Sequence, residues 1–306
     1  MTLPDNAVRD RVIPHHGLAR GTWLCLMEAR PIVQAMVSLR YLAALLLLQG
    51  VAGLASPRAL CAGISFVLAN TAVYLFNGVC DVAADRRNGK GRPLARGALA
   101  IGFARRFLAV LVLAAVLLSL LVSIVQCLVV LGLLAAGTLY SAGSHRALRT
   151  PWIPPASILV GGSLTYLAAC VGSGMRLDAQ VSLLGLVMSL WMAVVGGIVK
   201  DLTDVRGDQL AGRRTFAVVY GRPAAARFGA GCALLLGVTL LGGALAIGSG
   251  ELEVAGLVLL VAAAGVWRAA RRGGGHASRR PYLAFMRGQY GVHLAVIAIS
   301  VLSTGQ

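Results

Sequence analysis

The chain alternates long apolar runs with short polar, mostly basic segments. Apolar runs cover residues 31–54, 60–77, 107–140, 152–170, 181–200, 228–247, 252–267 and about 282–302. About 20 apolar residues cross a bilayer as a helix. At a rise of about 1.5 Å per residue, one helix over 107–140 would far exceed the roughly 30 Å of hydrocarbon, so that run predicts two spans turning near 123–126. The pattern therefore predicts nine transmembrane helices. No alternation at a period of two runs through these segments, which argues against a membrane β-barrel.

Composition agrees. Of 306 residues, 58% are hydrophobic and only 13% charged, and the mean hydropathy is +0.80. A soluble chain carries about 25% charged residues. The expected fold is all-α and polytopic: an interfacial or cytoplasmic segment over 1–30, then one transmembrane domain over 31–306. Within the first segment GLARGTWLCLMEA suits a short helix on the membrane surface, with Trp23 at headgroup level. No secretory signal is expected there, because the polar part is too long.

The net charge of +17 changes the picture only in topology. With the N-terminus in the cytoplasm, 25 of the 28 Lys and Arg fall in cytoplasmic segments and span ends. Only Arg58 and Arg176 fall outside, and Arg40 lies within the first span. That asymmetry follows the positive-inside rule, so the charge marks orientation in a cell membrane, and no nucleic-acid partner is expected. The six cysteines form no CxxC pair, and the five histidines have no ligand spacing.

Two stretches carry the chemistry. The first, LFNGVCDVAADRRNGKGRPLARG, places Asn77, Asp81 and Asp85 at i, i+4 and i+8. On a helix they share an arc of roughly 80°. The second, KDLTDVRGDQLAGRRTFAVVYG, places Asp201, Asp204 and Asp208 at i, i+3 and i+7, an arc of roughly 60° on a helix. Five of the chain's 11 acids lie in these two stretches, each at the cytoplasmic end of a span and each followed by arginines. Spans two and six thus look like a weak internal repeat.

Converging carboxylates in a partly dry site need a cation. Oxygen ligands from two helices suit Mg²⁺, which keeps waters and takes further ligands from substrate phosphates. The neighbouring cations would hold phosphate oxygens. The expected substrate is a phosphate ester with an apolar tail. The alternative is that both acidic faces merely pair with nearby arginines. Arg40 is costly in lipid, so it should face the bundle interior, where it contacts the diphosphate, an acid or the acceptor, or else snorkel to an interface or pair with a neighbouring helix away from the site.

These stretches resemble the aspartate motifs of the UbiA-type intramembrane prenyltransferase family. The first family motif, NDxxDxxxD with a following Arg-Pro, reads NGVCDVAAD with Arg92 and Pro93; the second, DxxDxxxD, reads DLTDVRGD, with Gly212 and Thr215 downstream. YSAGSHRALR resembles the family's loop between spans four and five. One position departs: Gly78 stands where the family has an aspartate.

The resemblance implies a nine-helix bundle around a central cavity, with two Mg²⁺ bridging the diphosphate of a prenyl donor. Asn77, Asp81 and Asp85 would hold one ion, and Asp201, Asp204 and Asp208 the other, with Asp81, Asp85, Asp204 and Asp208 as the catalytic acids. Arg92, Arg146, Arg149 and Lys200, with Arg40, would bind the diphosphate or the acceptor. The partners implied are a prenyl diphosphate, a lipophilic or aromatic acceptor, and membrane lipid. A terpene cyclase on the same fold and, less so, a transporter are the alternative readings.

Overall fold

A computed structural model gives the fold and describes residues 17–142, 150–210, 212–272 and 278–303. The helices are α1 (Leu18–Glu28), α2 (Pro31–Gln49), α3 (Pro57–Arg87), α4 (Ile101–Val122), α5 (Ile124–Ala142) and α6 (Ile153–Ser173). After these come α7 (Ala179–Thr203), α8 (Val205–Leu210), α9 (Phe216–Val219), α10 (Arg222–Ile247), α11 (Gly250–Arg272) and α12 (Arg280–Ser303). Among the described residues nine segments are long and apolar enough to cross a membrane: α2 with the 3₁₀ turn Gly50–Ala55, then α3, α4, α5, α6, α7, α10, α11 and α12.

Local chemistry sets the ends. Pro31 and Pro57 sit in the first turns of α2 and α3, where a missing N–H costs nothing. Ser56 Oγ accepts from the Ala59 N–H at 3.3 Å, and Asp178 Oδ1 accepts from the Val181 N–H at 2.8 Å, capping α3 and α7. The run 107–140 breaks at Ser123, as expected. Other boundaries overshoot the apolar runs: α3 continues ten residues past Asn77 to Arg87, and α10 starts at Arg222 rather than 228. Hydropathy marks where lipid ends, not where backbone hydrogen bonding ends.

The helices close a ring. α11 packs between α10 and α12, α12 returns to α2, and α3 packs against α4, α5 and α6. Small residues permit close approach: a Cβ on Gly256 would stand 2.7 Å from Leu241 Cα across the α10–α11 contact. A second, smaller core lies at the aspartate end. It joins Leu24, Cys25 and Ala29 of the N-terminal region to Leu75 and Val82 of α3 and to Leu94 and Leu99 of the following loop. That core seats α1 and the loop against the end of α3. A cavity of about 330 Å³, lined by Leu48, Gln49 and Met175, lies at the opposite end of the spans.

Candidate active site

The site is built at the ends of α3, α5 and α7. α3 runs unbroken through the first stretch, so Asn77, Asp81 and Asp85 share one face as their spacing requires. Gly89, at φ +63°, then turns the chain back, and the following loop brings Lys90 and Arg92 to Asp85. Arg92 Nη1 donates to Asp85 Oδ2 at 2.8 Å, and Lys90 Nζ lies 3.3 Å from Oδ1. Asn77 Nδ2 donates to Ser141 Oγ at 3.4 Å, and Lys200 Nζ to Tyr140 Oη at 3.3 Å. Tyr140 and Ser141, in the last turn of α5, therefore touch both stretches.

The second stretch is not one helix. α7 contains a π-turn at Trp191–Gly196 and tightens into a 3₁₀ turn at Lys200–Thr203. Asp204 sits at the break (φ −110°, ψ 13°), and α8 begins at Val205. The expected 60° helical arc does not hold. Asp201, Asp204 and Asp208 are brought together by a corner, with the Asp208 N–H donating to the Asp204 carbonyl at 2.8 Å.

Electrostatics follow from this packing. Burial, reinforced by the charges of Asp201 and Asp204 and opposed by Arg213, pushes the Asp208 carboxyl up to about 6. Asp208 Oδ2 is buried without a hydrogen-bond partner. Arg213 links the stretches: Nη2 lies 3.5 Å from Asp81 Oδ1 and Nη1 3.9 Å from Asp208 Oδ1.

Sequence reasoning missed two residues of this cluster as site residues. Arg213 was visible only as one of several basic residues downstream of the second stretch. Glu28, at the end of α1, is 1% exposed. It carries no sequence signal, because its partners lie more than 60 residues away.

The remaining expectations divide. Arg146 and Arg149 lie outside the described residues. Arg40 is 1% exposed and faces the bundle interior. There its guanidinium meets Met192 Sδ and lies 5.9 Å from the Tyr166 ring, whose hydroxyl is 2.9 Å from His293 Nε2. Arg40 Nε has no hydrogen-bond partner, and among the described residues Arg40 makes no ion pair. Met192 precedes Asp201 by nine residues, about 13 Å along a helix, so Arg40 stands well below the aspartates.

Do these residues fit a divalent cation? The donors are hard oxygens, the Asp208 carboxylate has an unpartnered buried oxygen, and the second-stretch acids repel one another. Those features fit Mg²⁺. Among the described residues no three acids form a ready cage. Mg²⁺ usually takes only one or two carboxylates and completes its shell with waters and substrate phosphates, so the fit stands.

Comparison with known proteins bears on the family and the fold. The model of the UbiA prenyltransferase family matches residues 41–290. No curated protein matches in sequence. Among solved structures, a UbiA homolog from Archaeoglobus fulgidus bound to GPP and Mg²⁺ superposes with a TM-score of 0.70 at 16% identity, covering 90% of this chain and 99% of that one. A UbiA homolog from Aeropyrum pernix K1 gives 0.68 at 19%, with 90% and 99% covered. A digeranylgeranylglyceryl phosphate synthase structure gives 0.66 at 17%, with 92% and 99% covered. At these identities the structural likeness shows a shared fold.

Proposed function

The chain belongs to the UbiA prenyltransferase family, and from that premise we propose that it is a Mg²⁺-dependent intramembrane enzyme moving a prenyl group from its diphosphate to an electron-rich aromatic or quinone-like acceptor. The observation that supports this reading most is Arg213, which draws Asp81 and Asp208 within reach of one guanidinium at the end of an apolar bundle. Related folds bound to GPP or DMAPP with Mg²⁺ support the donor class and the metal.

In this reading Asn77, Asp81 and Asp85 on one side, and Asp201, Asp204 and Asp208 on the other, hold Mg²⁺. When bound, the metal neutralises the leaving diphosphate. Arg92, Lys200 and Arg213 take non-bridging oxygens through charge-assisted hydrogen bonds. The allylic C–O bond breaks with its electron pair leaving on diphosphate. The acceptor carbon then bonds to the allylic carbon and loses its proton to the released diphosphate. The apolar walls of α2, α3, α6 and α7 keep water from the cation. Arg40, deeper and without an acid partner, is assigned to the acceptor rather than to the diphosphate. The aspartates are placed on the cytoplasmic face, on the strength of the 25 to 2 split of Lys and Arg. A cysteine at position 176 should be labelled by an impermeant reagent from outside and one at position 90 should not; the reverse pattern rejects this orientation.

Purified protein incubated with prenyl diphosphates of graded length and an acceptor panel should release diphosphate and prenylate one acceptor class only with Mg²⁺. A terpene hydrocarbon or alcohol from the diphosphate alone makes it a cyclase. Flux across vesicles without diphosphate release makes it a transporter.

A further inference from the structure

We propose that Glu28, on the N-terminal helix, is the positioning residue for Arg92 in the diphosphate site, and that Gly78 is a glycine so that Glu28 can occupy that place. The inference rests on the prenyl-diphosphate reading above.

The geometry is specific. Arg92 Nε lies 3.0 Å from Glu28 Oε1; the N–H is not aimed at that oxygen, so the contact is an ion pair rather than a hydrogen bond. Arg92 Nη2 donates to the Glu28 carbonyl at 3.0 Å. Glu28 Oε2 accepts the Leu94 N–H at 2.9 Å. One residue thus grips two of the three guanidinium nitrogens and the backbone just after Pro93. The third nitrogen, Nη1, is the one that serves Asp85. Glu28 therefore fixes which edge of Arg92 faces the motif.

Gly78 explains how an acid from another element reaches this spot. A Cβ at 78 would stand 2.5 Å from Glu28 Oε1, 2.9 Å from Cγ and 3.1 Å from Cδ. The volume beside α3 that a side chain at 78 would fill is already filled by the Glu28 carboxyl. The family pattern has an aspartate at this position, and here the negative charge arrives from α1 instead.

The junction that delivers Glu28 is itself over-determined. Arg30 adopts φ +58°, a left-handed conformation costly for a non-glycine residue. Gln34 Nε2 donates to the Ala29 carbonyl at 2.8 Å, while its Oε1 accepts from Asn70 Nδ2 at 2.9 Å and Thr71 Oγ1 at 3.2 Å. Both helices flanking Glu28 are therefore tied to α3, directly or through the small core. A carboxylate so deeply buried would be costly without its cation, so Glu28 and Arg92 hold each other in register.

The test uses the full chain in nanodiscs, with inorganic pyrophosphate plus Mg²⁺ as the binding probe and steady-state kinetics beside it. Glu28→Gln keeps the shape and removes the charge. It should weaken pyrophosphate binding and raise the KM for prenyl diphosphate about tenfold, the scale of one charge-assisted hydrogen bond. The KM for the acceptor should change little, and the melting temperature without probe should fall while the protein stays folded, since Arg92 keeps Asp85. Gly78→Ala should have the same effect, because its methyl group displaces the carboxyl. Glu28→Ala combined with Gly78→Asp should bind pyrophosphate better than Glu28→Ala alone. Wild-type affinity in a folded Glu28→Gln or Gly78→Ala protein overturns the proposal. So does a folded double variant no better than Glu28→Ala. A wild-type protein that binds no pyrophosphate overturns the prenyl-diphosphate reading as well, which separates the two failures.

Discussion

The two aspartate stretches are written in nearly the same letters and sit in opposite electrical states. In the first, α3 stays helical, and the chain answers its own acid: Asp85 has Arg92 at 2.8 Å and Lys90 at 3.3 Å. In the second, the helix breaks at Asp204 and three carboxylates share a corner. The Asp208 contact to Arg213 is a loose 3.9 Å, and one of its oxygens is buried without a partner. In the first stretch Asp85 meets two cations at short range, whereas the acids of the second crowd one another and Asp208 meets Arg213 only loosely. On the proposed reading, demand for a cation concentrates on the α7–α8 corner, while the α3 side holds Arg92, the arginine assigned to the diphosphate.

The largest expected effect tests that division. Asp204→Asn and Asp208→Asn, like Asp85→Asn, should each slow Mg²⁺-dependent diphosphate release by roughly 100-fold or more. Their signatures should differ. The second-stretch variants should raise the Mg²⁺ concentration needed for half-maximal rate. Asp85→Asn removes a metal oxygen and a partner of Arg92 together, so it should raise the KM for prenyl diphosphate as well, with a smaller change in the Mg²⁺ requirement. A Mg²⁺ titration that cannot tell them apart breaks the comparison, and full turnover at limiting Mg²⁺ in any one rejects that acid.

A smaller effect is expected at the bridge between the stretches. Arg213→Gln leaves Asp81 and Asp208 without their shared cation. The melting temperature in EDTA should fall by a few degrees, roughly the effect of 1 kcal/mol in a domain of moderate size, and Mg²⁺ should restore it. A loss that persists with Mg²⁺ makes Arg213 a packing residue.

The smallest effect sharpens the contrast through pH. The Asp208 carboxyl sits near 6 in the folded protein, above its ordinary value, so the fold binds this proton more tightly than the unfolded chain does. Its stabilising contribution is complete at low pH and is lost as pH rises through 6. In metal-free protein, going from pH 7 to pH 5 should thus add on the order of 1 kcal/mol that Asp208→Asn lacks. Equal pH profiles for the two proteins would refute the crowding.

The nine spans and the first acidic face were legible because lipid imposes length and a continuous helix preserves spacing. The corner at Asp204 was not. Asp-Leu-Thr-Asp contains neither glycine nor proline, and the Gly196–Gly197 pair that closes the preceding π-turn does not by itself foretell the 3₁₀ turn at Lys200–Thr203. Gly78 was visible as a missing acid, but nothing local pointed to Glu28 fifty residues earlier, because their contact depends on how α1 docks. Arg213 was one basic residue among several, and only the fold selects it.

The length of α3 has one more consequence. Its 31 residues measure about 46 Å, against roughly 30 Å of hydrocarbon. About half of one bilayer thickness is therefore left over if the Pro57 end is set at one edge of the hydrocarbon. Asn77, Asp81 and Asp85, 20 to 28 residues from Pro57, would then occupy successive rungs of that surplus, from the edge of the oil into the headgroup zone. The helix works as a depth gauge. A lipid-borne diphosphate would meet the acids at the height where its own headgroup floats, and its tail would never have to leave the membrane.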